Sequence, residues 1–344
     1  MIDRTLAASA YLGLRYLPWP DLSWKAGVTP AWPAAKDAQL IGLHSPEAIL
    51  ATLRWLMAEA TAGPHVGLLL SGGMDSAVLA ALMPPGSPAY TIRFDAPGAI
   101  DESAAAAVYA GHCGLRHHSV TVTWADYQAH MDQLMQHKCS PLHPVEVGLY
   151  LAARQAAADG VETLVLGNGA DSTFGGLDKL LARDWRPAEF VARYTFLNPH
   201  LALRESADIW PAFAPYARGE VFDTAGFLKT VHGQGVIQAF DNAIGAGGCR
   251  TAEPYERLYL DEPLDLARIR RGESKYLLRA VFAYLYPALN QPTKIAFARP
   301  MDAWLADWEG PHRPEFRPDL DLAALTGEQR WLVYGLERFF NLLD

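Results

Sequence analysis

The sequence predicts an α/β protein: a parallel sheet with helices on both faces, followed by a mainly helical C-terminal part. Three observations carry this. From Ser45 to about Asp184, helical spacing alternates with short apolar runs, the mark of a parallel sheet. Two glycine-bearing turns directly follow such runs, and beyond Trp185 the strand pattern gives way to helical periodicity. In chain order, residues 1–44 read as an irregular segment, because Pro18-Trp19-Pro20 and Pro30-Ala31-Trp32-Pro33 interrupt it. Strands are expected at 66–70, 89–94, 118–123 and 163–166, with helices between them, among them 145–158 closed by Gly160. Near the end, Thr326-x-x-Gln329 forms a capping box ahead of Leu332, Leu336, Phe339 and Leu343, a stripe that reads as core. The expected division is 1–44 as connector, 45–184 as nucleotide-binding α/β subdomain and 185–344 as helical pocket subdomain.

Ser71-Gly72-Gly73-Met74-Asp75-Ser76 lies between the apolar run 66–70 and a helix-forming stretch. Strand, glycine turn and helix start is how a chain cradles phosphate. The glycines let the backbone approach an anion, the N–H groups of the first turn point at it, and Ser71 and Ser76 add hydroxyl donors. Asp75 would repel a polyphosphate unless a cation lay between, so it reads as a ligand of Mg²⁺ bridging phosphate oxygens. The lysine of Gly-x-x-x-x-Gly-Lys-Ser/Thr is missing, which argues against ordinary γ-phosphate transfer. Taken alone, the hexapeptide also suits a tight strand-to-helix turn of any α/β protein, with Asp75 and Ser76 as first-turn polar residues.

Composition narrows the class. The chain has 344 residues, half of them hydrophobic, enough for a large core. It shows no apolar run of transmembrane length and no signal-peptide pattern, so a cytoplasmic enzyme is expected, with no membrane partner. Cys113, Cys139 and Cys249 lack Cys-x-x-Cys spacing, which fits reduced thiols. A net charge of −9 disfavours a nucleic-acid substrate. Gly167-x-Gly169 is not a dinucleotide fingerprint, because the sixth position is Ser172. His112, Cys113, His117 and His118 lack zinc-site spacing, and His143 and Glu146 read as helix-start residues near the pocket.

Ser-Gly-Gly-x-Asp-Ser resembles the pyrophosphate loop of the ATP pyrophosphatase (PP-loop) superfamily, whose members cleave ATP between the α and β phosphates. Later segments narrow the resemblance to the synthetase domain shared by asparagine synthetase and β-lactam synthetase. Tyr90-Thr91-Ile92-Arg93-Phe94-Asp95 is similar to the family's second strand, and Asp101-Glu102 to its Asp-Glu-x-x-x-Ala signature. Leu166-Gly167-Asn168-Gly169-Ala170-Asp171-Ser172-Thr173-Phe174-Gly175-Gly176 resembles its second metal motif. Lys275-Tyr276-Leu277-Leu278-Arg279 and Pro292-Thr293-Lys294-Ile295-Ala296-Phe297 resemble its two late lysine motifs.

The resemblance implies a Rossmann-like (adenine nucleotide α-hydrolase-like) sheet that uses ATP and Mg²⁺. By it, Asp75 and Asp171 share the metal, Ser71, Gly72, Gly73, Ser76 and Gly167 hold the phosphates, and the backbone near Leu69 and Ile92 takes adenine. Lys275 and Lys294 would be the catalytic lysines, neutralising charge on the phosphates and then on the tetrahedral intermediate. Ala10-Tyr11-Leu12-Gly13-Leu14-Arg15-Tyr16-Leu17-Pro18 resembles the connector that follows the glutaminase domain in two-domain asparagine synthetases. Residue 2 is Ile2 rather than a glutaminase cysteine, so the expectation is a chain lacking that domain, with nitrogen supplied from elsewhere.

Departures cluster where the nucleophile is activated. The family's glutamate or tyrosine between the two glycines is Asn168 here, which takes no proton at neutral pH. Aligning 241–254 with a later family motif puts Arg250 where an acid stands, Ala252 for an arginine and Arg257 for an aspartate, with Glu253 and Glu256 as new acids nearby. Asn168, Arg250 and Glu253 are thus the candidate acceptor pocket, and either glutamate is a candidate relocated base. The expected function is an AMP-forming amide ligase acting on a small-molecule carboxylate other than aspartate and on an amine or ammonia. Two alternatives stand beside it: a nucleotide-binding partner or pseudoenzyme needing a separate glutaminase or carrier subunit, and an RNA-modifying PP-loop enzyme.

Overall fold

The computed structural model describes residues 1–33, 39–292 and 299–344. Five strands build the central sheet: β1 (Val66–Leu69), β2 (Pro88–Phe94), β3 (Arg116–Val122), β4 (Thr163–Val165) and β5 (Arg250–Ala252). They lie in the order β3-β2-β1-β4-β5, and every neighbouring pair is parallel. The first four stand where the apolar runs placed them. The fifth comes from the C-terminal half: Arg250-Thr251-Ala252 has no apolar run, and pairing with β4, Thr163 against Arg250 and Val165 against Ala252, makes it a strand.

Side chains alternate across the sheet as the pleat requires. Ala89 packs on one face, while Tyr90, Ile92 and Phe94 pack on the other. The helices Trp124–Lys138 and Glu146–Ala158 cover the second face; Pro46–Ala60, Met74–Ala80, Ser103–His112 and Tyr276–Leu285 cover the first. Glu146–Ala158 closes at Gly160 as expected, with the N–H groups of Gly160 and Val161 donating to the carbonyls of Ala157 and Ala156. A third, aromatic core holds Phe190, Tyr194, Phe213, Phe222 and Phe227; burying each phenylalanine contributes about 1.5–3 kcal/mol.

The first 44 residues are not irregular throughout. Arg4–Leu14 is a helix capped by the Asp3 carboxylate, which accepts from the Leu6 N–H at 2.8 Å. Ala7, Ala8, Tyr11 and Leu12 bury one face of it in the core that also takes the C-terminal helix Gly327–Leu343. The prolines begin only at Pro18, so nothing within 4–14 opposes a helix. Ile41–Leu43 then pairs parallel with Leu258–Leu260. The last helix starts at the Thr326–Gln329 capping box and buries Leu332, Leu336, Phe339 and Leu343. Among the described residues, no helix is long and apolar enough to cross a membrane.

In this strand order the chain reverses direction of growth between β1 and β4. A crevice opens there at the C-terminal strand ends, the place where open α/β sheets bind ligands. The loops after β1 and β4 are the two glycine-bearing motifs.

Candidate active site

The loop after β1 is folded by its own hydroxyls. The Ser71 N–H donates to Ser76 Oγ at 3.0 Å, the Gly73 N–H donates to Ser71 Oγ at 3.1 Å, and the two hydroxyl oxygens lie 3.0 Å apart. Two buried tyrosines from the C-terminal half hold the helix that follows. Tyr255 OH donates to the Asp75 carbonyl at 3.0 Å and Tyr286 OH to the Ala77 carbonyl at 2.6 Å. Burial pushes both phenols well above their usual pKa, so they stay neutral donors.

Asp75 and Asp171, one from each loop, converge on Lys275. Lys275 Nζ lies 2.5 Å from Asp75 Oδ2 and 2.6 Å from Asp171 Oδ1. Burial alone would lower this lysine's pKa, but the two carboxylates more than offset it and the net shift is upward. Its backbone sits in the left-handed region at φ 54°, a strained setting for a non-glycine residue that aims the side chain across the crevice. The second motif's glycines make room for the pair. A Cβ on Gly176 would lie 1.8 Å from Asp171 Oδ1 and 2.1 Å from Lys275 Cε. Gly169, at φ +89°, starts the short helix that carries Asp171, and a Cβ there would meet Glu256 Oε1 at 2.7 Å.

A cavity of ≈ 280 Å³ fills the crevice. Leu69, Ile92, Ser71, Asp75, Ser76, Gly167, Asn168 and Asp171 line it, so sequence-predicted residues from both loops meet at one site. Gly72 and Gly73 complete the first loop without lining the cavity. Sequence reasoning assigned no site role to part of the wall, Thr91, Glu102, Leu149, Gly169, Ser172, His232, Gly233, Val236 and Phe240, whereas Glu256, one of the two candidate bases, does face it. Glu102 stood in a quoted motif and could have been assigned from it. Burial raises its carboxyl pKa, and a hydrogen bond from the Gly72 N–H partly opposes this. His232 ends a π-helical turn, Leu228–His232, whose sequence gives no advance sign of a pocket wall.

Two acceptor-side residues stand away from the cavity wall. Arg250 is exposed at the start of β5, pairing with Glu162 at 3.4 Å, and lines no part of the cavity. A parallel strand sends only its C-terminal end to the crevice, and Arg250 sits at the opposite end. Glu253, just past that C-terminal end, is buried beneath the site and accepts from Asn168 Nδ2 at 3.0 Å. Lys294 lies outside the described residues. The other histidines and cysteines singled out in the sequence are placed as follows. His117 Nε2 meets Thr91 Oγ1 at 2.8 Å, His118 stacks on Tyr90, and Cys113 Sγ lies 3.2 Å from Tyr286 OH. Among the described residues, no group of three or more His, Cys, Asp or Glu could hold a metal. Glu146 opens its helix, accepts from the N–H of His143 in the turn before it at 2.6 Å, and is buried against Lys138 at 2.5 Å.

The asparagine synthase family model matches residues 49–231, more than half of the chain and both crevice loops. The chain belongs to the asparagine synthase family. Proteins of Mycobacterium bovis and Mycobacterium tuberculosis named "Putative asparagine synthetase (glutamine-hydrolyzing)" are each 33% identical over 115 residues, 32% of this chain. That match spans 17% of the length of those relatives. Among solved structures, the NMN synthetase of Francisella tularensis matches 74% of this chain and all of its own, at 15% identity and a TM-score of 0.28. The NH3-dependent NAD synthetase of Campylobacter jejuni matches the same shares, at 14% identity and 0.26. Likeness at that level leaves the fold to rest on the strand order itself.

Proposed function

We propose that this asparagine synthase family member is an ATP-dependent, AMP-forming carbon–nitrogen ligase. It activates a small-molecule carboxylate other than aspartate as the acyl-adenylate and passes the acyl group to a nitrogen nucleophile. The supporting observation is the convergence of Asp75 and Asp171, from two strand-end loops, beside a single cavity lined by both.

The donor set fits Mg²⁺. Asp75 and Asp171 present hard carboxylate oxygens to one point, now met by the Lys275 ammonium, and would hold the ion there. When bound, the ion neutralises charge on the pyrophosphate that leaves. Ser71, Ser76 and the N–H groups of their loop bind that pyrophosphate, while the apolar Leu69, Ile92 and Leu149 side of the cavity accepts adenine. Lys275, released from the aspartates, supplies a positive charge for the α-phosphate as the substrate carboxylate attacks phosphorus. Replacement of the family's activating residue by Asn168 supports an acceptor system different from that of asparagine formation. On this reading a separate glutaminase or carrier protein would supply nitrogen or acyl substrate.

The test is pyrophosphate release and AMP formation from ATP and Mg²⁺ across a panel of amino-acid-like carboxylates, with and without ammonium or hydroxylamine. Carboxylate-dependent release that disappears in Asp75→Ala is the expected result. Tight ATP binding without release for any acid would replace this reading with that of a nucleotide-binding subunit.

A further inference from the structure

We propose that Glu256 is the general base that deprotonates the attacking amine, a role that Asn168 cannot perform and Glu253 is placed to support only indirectly. This inference rests on the ligase reading above. Of the two new acids, only Glu256 reaches the cavity wall; Glu253 lies buried behind it. Glu256 sits in the short turn Pro254–Arg257, which is closed by its own N–H donating to the Glu253 carbonyl at 3.1 Å. The residue before it, Tyr255, is fully buried and donates to the Asp75 carbonyl. The turn is thereby tied to the same loop that would hold the leaving pyrophosphate, and Glu256 keeps its register with the reacting phosphorus.

The opposite side of the turn is equally determined. Gly169 lacks the Cβ that would strike Glu256 Oε1, so the carboxylate lies against the second metal motif, two residues before Asp171. Asn168 turns its amide onto Glu253 and so braces the two segments against each other. Lys229, half-buried on the π-helical turn, is within Coulombic reach of Glu256. The other cavity-facing candidates fit the task less well. Glu102 stands beside Gly72 on the phosphate side. His232 already has its Nδ1 engaged with Tyr194 OH at 2.9 Å.

The step balances as follows. Glu256 carboxylate takes a proton from the ammonium form of the nucleophile, and the nitrogen lone pair forms the C–N bond at the acyl carbon. The tetrahedral intermediate then breaks its C–O bond to phosphate; AMP departs with the electron pair, and the second nitrogen proton passes to solvent.

Hydroxylamine separates this role from a merely structural one, because it is unprotonated near neutral pH and needs little base assistance. The assay uses the panel acid with the fastest pyrophosphate release, and either ammonium or hydroxylamine as nucleophile. In Glu256→Gln, carboxylate-dependent ATP–pyrophosphate exchange is expected to persist, amide formation from ammonium to fall about 100-fold or more, and the hydroxamate yield to fall less than about 10-fold. Glu256→Asp, which retains a shortened carboxylate, is expected to show an intermediate ammonium-to-hydroxylamine ratio. An unchanged ratio in both variants overturns the assignment, as does its selective loss in His232→Asn with Glu256→Gln unaffected. Failure of wild-type protein to exchange with any acid overturns the ligase reading itself, a result distinct from either.

Discussion

The two ends of the cavity are built differently. The phosphate end is local: strand, glycine loop and helix follow one another within fifteen residues or so at β1 and again at β4, and buried tyrosines and Lys275 then lock them. The acceptor end is assembled from pieces far apart in sequence, namely the 253–256 turn, the π-helical Leu228–His232 and the start of Gly233–Ala246. A site with one local and one assembled end can exchange its acceptor while leaving phosphate handling alone. Changes in a turn or a helix face then need no change in the sheet.

The sharpest way to break that contrast is Asp171→Asn. Loss of this carboxylate should cut adenylation by about 100- to 1,000-fold with either nucleophile, read as pyrophosphate release, while the fold persists by circular dichroism. Should adenylation survive, the phosphate end is not where these loops place it. Gly176→Ala comes next. A Cβ overlapping both Asp171 and Lys275 should cost about 1–3 kcal/mol in chemical denaturation and weaken Mg·ATP binding, tying the glycine pair to the charge cluster.

How legible these ends were follows from the same contrast. The strand-turn-helix motifs announce themselves because glycine, aspartate and apolar runs act within a few residues of one another. Arg250 misled because sequence alignment gives a position along a strand without saying which end of it reaches the crevice. Glu256 stayed ambiguous because sequence spacing does not say which acid of the pair lines the cavity; the folded turn puts Glu256 on its wall and Glu253 behind it. The helix Arg4–Leu14 was masked by the prolines after it, whereas its own burial depends on a C-terminal helix more than three hundred residues away.

A weaker effect should appear under acid. Burial, with Arg15, Arg299 and Lys138 close by, holds the His143 imidazole well below its usual pKa. The unfolded chain therefore binds a proton near pH 6.5 that the folded chain refuses, so this group's contribution is intact above that pH and lost as pH falls below it, by up to about 1.4 kcal/mol per pH unit. Urea denaturation of His143→Gln between pH 7 and 5 should show a shallower pH dependence than wild type; an equal slope would assign the acid sensitivity elsewhere. The smallest effect belongs to Arg250→Ala, within about 0.5 kcal/mol in stability and without change in either half-reaction. A selective loss of amide transfer there would return Arg250 to the acceptor end.

The late arrival of β5 has a consequence for synthesis. Chain emerges from a ribosome at about 5–20 residues per second, so the outer edge of β4 waits roughly 4–18 s for the three residues that cover it, with its hydrogen-bonding groups open to any other strand. The family-matched stretch ends at residue 231, before those residues are made. A fragment cut there would carry both glycine loops and still lack the strand that seals them, and it should aggregate where the whole chain folds.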